Sequence, residues 1–211
     1  MCPAGSGKSD LAAYDTQRYG SLDGYAQDVL DICEALDLRI FVGHSVSSVI
    51  GVLAANRAPE RFANLILVGP SASLINDPPA NYVGGFDRPD IEGLLEMMDK
   101  NYLGWASFLA PAIMKNADRP ELTAELEQGF CSTDPKIARR FTQVTFLSDH
   151  RADFARLTVP SLVMQCSEDT IAPISAGEFV AEQAFASTFR RRGIGLHHLS
   201  ADRRGAGSLG G

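Results

Sequence analysis

Ser45 lies in the run Gly43-His44-Ser45-Val46-Ser47, between the apolar stretch Ile40-Phe41-Val42 and a second one from Val49 to Ala55. A serine at such a strand–turn–helix junction matches the G-x-S-x-G pattern of a nucleophile held out on a tight turn. Gly43 meets the pattern. The last glycine is replaced by Ser47, which is still small enough for the helix to approach the strand closely. The turn exposes the Ser45 hydroxyl above the end of the strand and aims the Val46 N–H at the oxyanion formed in acyl transfer.

A serine at its free pKa is a poor nucleophile and needs a base, most often a histidine oriented by a carboxylate. Nucleophiles on this kind of turn use the chain order serine, acid, histidine. Asp169 follows the apolar run 161–166, where the acid belongs, and Glu168 competes with it from a neighbouring position. The histidines are His44, His150, His197 and His198. His44 is too near Ser45 in sequence to swing onto its hydroxyl, and His150 precedes the acid. His197 and His198 come in the right order, and His197 is the candidate base.

These residues need a scaffold of strands with helical crossovers. Ser21 opens a helix whose apolar set Leu22, Tyr25, Ala26, Val29, Ile32, Cys33 and Leu36 recurs at helical spacing. Ile40-Phe41-Val42 and Leu65-Ile66-Leu67-Val68 are short apolar runs, as in parallel strands buried on both faces. Residues 1–20 and 70–86 read as loop. From Pro89 to Leu147 the pattern is helical, punctuated by prolines into four helices near 90–101, 103–115, 120–130 and 134–147. Strand character resumes at 161–166 and a helix follows at 174–183. The expectation is an α/β domain with a parallel sheet and a helical insertion. The aromatic and methionine residues of that insertion read mostly as core between helices.

The chain has 211 residues and a formal net charge of −7, so a basic nucleic-acid footprint is not expected. No run of 18 apolar residues suggests a membrane span, and no secretory signal opens the chain, which points to the cytoplasm. The four cysteines form no metal or redox motif. Ala4-Gly5-Ser6-Gly7-Lys8-Ser9 looks like a phosphate loop, but Cys2 stands where its first glycine is required and no strand precedes it.

Longer matches are more specific than the serine turn alone. Ser21-Leu22-Asp23-Gly24-Tyr25-Ala26, Asn101-Tyr102-Leu103-Gly104-Trp105-Ala106, Thr145-Phe146-Leu147-Ser148-Asp149 and Glu168-Asp169-Thr170-Ile171-Ala172-Pro173 resemble the RsbQ-type α/β hydrolases. That group includes a bacterial stress-signalling regulator and the plant karrikin and strigolactone receptor hydrolases. The resemblance covers about residues 5–183. It implies an α/β-hydrolase fold over 1–211, with core at 21–75 and 158–200 and a four-helix lid at about 86–148. By position it makes Ser45 the nucleophile, Asp169 the acid and Val46 an oxyanion donor, and it puts Trp105, Leu109 and Phe146 in a substrate pocket. It implies hydrolysis of a small ester or lactone through an acyl-enzyme, with no metal or organic cofactor. The alternatives are a ligand-sensing regulator that docks a signalling protein, or an inactive gene fragment.

The chain departs from the family twice. The family's early strands, with a loop that donates a second oxyanion N–H, have no counterpart here, which would leave the strand before Ser45 with an unpaired apolar edge. Near the other end, aligning His198-Leu199-Ser200 with the family's Gly-His-Cys-x-His-Leu-Ser run puts Gly195 where the catalytic histidine stands. The preceding strand, normally apolar, reads Arg190-Arg191-Arg192, and three arginines do not suit a buried strand.

Overall fold

The structure, a computed structural model, describes residues 5, 9–115, 117–184 and 186–192, the last without its side chain. Helix α1 (Leu22–Ala35) opens where the Ser21 hydroxyl accepts from the Asp23 N–H. Its buried residues Leu22, Tyr25, Ala26, Val29 and Cys33 form one stripe. Asp37, at φ 49°, turns the chain out of the helix and into strand β1 (Ile40–His44). Helix α2 (Val46–Arg57) follows with every residue from Ser48 to Ala55 buried, then β2 (Asn64–Val68).

The insertion after β2 carries four helices: α3 (Arg88–Lys100), α4 (Tyr102–Met114), α5 (Pro120–Cys131) and α6 (Pro135–Phe146). Their starts are local chemistry. Asp87 and Asp90 form a capping box on α3, Asn101 accepts from Gly104 N at 3.0 Å on α4, and the Asp134 side chain caps α6. Proline occupies the first turn of α3, α5 and α6, where a missing N–H costs nothing. A short α7 (Arg151–Ala155) leads to β3 (Ser161–Cys166), then α8 (Ile174–Gln183) and β4 (Ser187–Arg192).

The described strands form one parallel sheet in the order β1-β2-β3-β4, with Phe41 opposite Leu65, Leu67 opposite Val163, and Val163 opposite Phe189. The central strands bury Leu65, Leu67 and Val163 completely, and Val52 of α2 and Phe154 of α7 pack into the same core.

The expected helix–strand order and the four-helix insertion are present, with boundaries within about two residues of expectation. Three expectations need correction. Strand β1 is not buried on both faces: Ile40 and Val42 are 61% and 62% exposed, because β1 is the edge of the described sheet. The arginine run does form a strand. Arg190 and Arg191 pair with Met164 and Gln165 at the edge of the described sheet, and both side chains are in solvent, so neither of these two charges is buried. Among the described residues of 1–20, Leu11–Ala13 and Arg18–Gly20 are single 3₁₀ turns rather than plain loop, and the second buries Tyr19. Of the phosphate-loop decoy, Gly5 and Ser9 are described; Gly7 and Lys8 lie outside the described residues.

Candidate active site

Ser45 forms the junction between β1 and α2 at φ 54°, ψ −124°. A non-glycine residue seldom adopts that conformation, and the surroundings must hold it there. Its N–H donates to Val68 O of the neighbouring strand at 2.8 Å, and its carbonyl accepts from Ser48 N at 2.9 Å. The fully buried Ser48 hydroxyl donates to Gly43 O at 2.8 Å. A β-carbon on Gly43 would meet Ser47 O at 2.6 Å, so the tight turn requires glycine there. One helical turn further on, a β-carbon on Gly51 would sit 2.4 Å from the Phe41 ring, so α2 also lies close on β1 there. Val46 is the first residue of α2, and the N–H of such a residue has no intrahelical acceptor.

Asp169 lies on the loop between β3 and α8, half-buried, with Oδ1 accepting from Ile171 N at 2.8 Å and Ala172 N at 3.0 Å. The loop is anchored from below by Gln165, fully buried in β3, whose Nε2 donates to Ala172 O at 2.7 Å. Glu168 points into solvent.

Ser45, Val46 and Asp169 all line one cavity of about 460 Å³ between the sheet and the four-helix insertion. Trp105 and Leu109 of α4 and Phe146 of α6 line it too, so Ser45, Val46, Asp169 and the three expected pocket residues border the same space. Phe130 and Phe141 border the cavity as well as packing against the buried clusters, as the core reading expected, and Phe108 and Met97 of the same insertion are exposed. The Trp105 ring packs between Tyr102, centroids 5.9 Å apart, and Phe130, at 5.2 Å. Among the described residues the lining contains no lysine or arginine and one carboxylate, Asp169. Burial pushes the phenols of Tyr25 and Tyr102 above their ordinary value, so both stay neutral in the wall. The Trp105 indole N–H and the Thr145 hydroxyl are buried and have no hydrogen-bond partner among the described residues.

His197 and His198, with Gly195, lie outside the described residues. His44 lines the cavity beside Ser45 with an exposed side chain. His150 is elsewhere: it caps α7, and its Nδ1 lies 2.8 Å from Asp153 Oδ2.

Sequence reasoning missed Tyr25 and Thr145 as lining residues and Gln165 as the anchor of the acid loop. Tyr25 and Thr145 read as ordinary helix positions, and only packing turns them toward a cavity. Gln165 had a signal, since an amide inside an apolar strand is a buried polar group that needs a partner.

No protein-family model matches the chain. It is 35% identical over 178 residues to "Karrikin insensitive 2 receptor IA" of Petunia hybrida, covering 83% of this chain and 64% of that protein. It is 35% identical over 171 residues to "Strigolactone esterase RMS3" of Pisum sativum, covering 80% and 63%. The chain thus spans a little under two thirds of the length of these relatives. Among solved structures, a hydrolase from Oleispira antarctica is 41% identical with a TM-score of 0.88, over 93% of this chain and 73% of that one. An esterase from Exiguobacterium antarcticum, 17% identical, shares the fold at a TM-score of 0.84 over 96% of this chain and 75% of that one. A parallel sheet with a serine turn after β1, a helical insertion after β2 and these similarities lead to one assignment: the chain belongs to the α/β-hydrolase family of the strigolactone esterases and karrikin receptors.

Proposed function

We propose that this protein is a serine hydrolase acting on a small, neutral ester or lactone through an acyl-enzyme. The observation that carries the reading is Ser45, held at positive φ in the wall of an apolar cavity that Asp169 also borders. Ser45 attacks the carbonyl, and the Val46 N–H stabilises the oxyanion. Asp169 orients the base, and its carboxylate takes no part as a proton acceptor. His197 is the base in this reading. The aromatic walls fit an apolar acyl or alcohol group, and the unpaired Trp105 N–H suits a ligand that carries an oxygen acceptor. A cavity of about 460 Å³ takes a small molecule and not a polymer.

A fluorophosphonate probe tests this. The expected result is a single adduct on Ser45 that disappears in Ser45→Ala. Folded protein that takes up no probe defeats the proposal.

A second reading, ligand sensing with little turnover and a protein partner, draws on the relatives named as receptors. It predicts a ligand-dependent rise in melting temperature with no product formed.

A further inference from the structure

Helix α4 and the loop that carries Asp169 are tied together from both sides. Helix α4 ends at Met114, so the carbonyls of its last turn have no intrahelical donor. One of them, Ala112 O, accepts from the Thr170 hydroxyl at 3.1 Å. Just beyond the helix, Lys115 takes a left-handed conformation at φ 49°, and its Nζ lies 3.4 Å from Glu168 O. The two ties flank Asp169 in sequence. The same helix presents Trp105, Leu109 and Ile113 to the cavity. A ligand that presses on α4 therefore presses on the segment holding Asp169. From the core side the loop is held by the Gln165–Ala172 bond, downstream of the acid. Position 169 itself is bracketed by the lid.

We propose that Thr170 is a positioning residue: its hydrogen bond to Ala112 O couples the seating of lid helix α4 to the placement of the Asp169 carboxylate. The proposal rests on the reading of Asp169 as the triad acid. Thr170 does not touch the substrate; it acts through its neighbour. With α4 seated, Asp169 is held in the cavity wall, where in the proposed reading it stabilises the protonated base. With the tie removed, the loop shifts and carries with it the carboxylate that Ile171 N and Ala172 N hold to it, the base becomes a weaker proton acceptor, and its pKa falls toward that of an unassisted imidazole.

The rate of fluorophosphonate labelling, measured against pH on the full chain, separates this from a merely structural role. Thr170→Val keeps the shape and loses the donor. It should slow labelling about three- to tenfold, the scale of one hydrogen bond, and move the midpoint of the pH profile to lower pH. Thr170→Ser, which retains the hydroxyl, should restore both rate and midpoint. Asp169→Ala is the control for the underlying reading and should show a larger loss with the same direction of midpoint shift. A Thr170→Val protein with the wild-type midpoint and rate, beside a crippled Asp169→Ala, overturns the coupling and leaves the acid in place. Wild-type behaviour of Asp169→Ala overturns the acid reading, and the coupling with it. A wild-type protein that takes no label overturns both.

Discussion

The hydroxyl of Ser48 donates to the carbonyl of Gly43 across 2.8 Å, stitching the first turn of α2 to the end of β1 with Ser45 trapped between them. The bond is fully buried, and together with the Ser45 N–H bond to Val68 it leaves residue 45 little room to relax from its positive φ. The turn is therefore sensitive to the size of its neighbours.

Gly43→Ala should show this directly. The new β-carbon would meet backbone, which cannot swing away as a flexible side chain can. The expected cost is about 1–3 kcal/mol in urea denaturation, the range for overpacking, together with loss of probe labelling at Ser45. Ser48→Ala removes one buried hydrogen bond and should cost about 1 kcal/mol. If Gly43→Ala melts and labels as the wild type does, the close strand–helix approach is wrong.

Asp169→Asn keeps an oxygen able to accept from Ile171 N and Ala172 N, so the loop should stay folded. What is lost is the charge that fixes the tautomer of the base. Labelling should fall by a factor of about 10³–10⁴, by analogy with triad acids. An unchanged melting curve alongside that loss identifies the role as chemical.

Occupancy of the cavity can be read from fluorescence, because the single tryptophan of the chain, Trp105, lines it. Titration with γ-phenyl-γ-butyrolactone should shift its emission and saturate. The ring-opened carboxylate should bind at least about 100-fold more weakly. An ionised carboxylate entering an apolar site without a cation loses its hydration, and the described lining offers neither lysine nor arginine. Equal affinity for the two forms would contradict the charge preference.

At the base of the insertion, Arg151 holds the Asp149 carboxyl below its ordinary value, chiefly by hydrogen bonding. A carboxyl whose pKa is lowered by folding binds fewer protons in the native state. The stability it contributes is present above the unfolded value of about 3.9 and is lost as pH falls through the lower folded value. Asp149→Asn should therefore destabilise the protein at neutral pH, and the gap to the wild type should close on acidification. A gap that widens in acid would reverse the sign of this coupling.

The β1 edge supplies the last prediction. Ile40 and Val42 project into solvent on a strand whose outer backbone edge pairs with no described strand, a template for pairing with other chains. Val42→Lys should lower light scattering of the concentrated chain without shifting its melting temperature. Scattering that stays the same would place the adhesive surface elsewhere.

Much of this molecule is set by local sequence. Apolar runs bounded by turn residues specify β1, β2 and β3. Proline and capping side chains specify where the four inserted helices begin, because a helix start is chemistry within a few residues. The turn at Ser45 is likewise local, since Gly43 and small neighbours are what a tight strand–helix junction demands. Tertiary structure decided what depends on a partner distant in sequence. Periodicity marks Trp105, Phe130 and Phe141 as one-sided but does not say whether that side meets core or cavity; the packing of the insertion over the sheet does. An apolar run reads the same at the centre of a sheet or at its edge, and only the strand order leaves Ile40 and Val42 uncovered. Arg190 and Arg191 sit in a strand because backbone pairing with β3 is indifferent to side chains that stay in water.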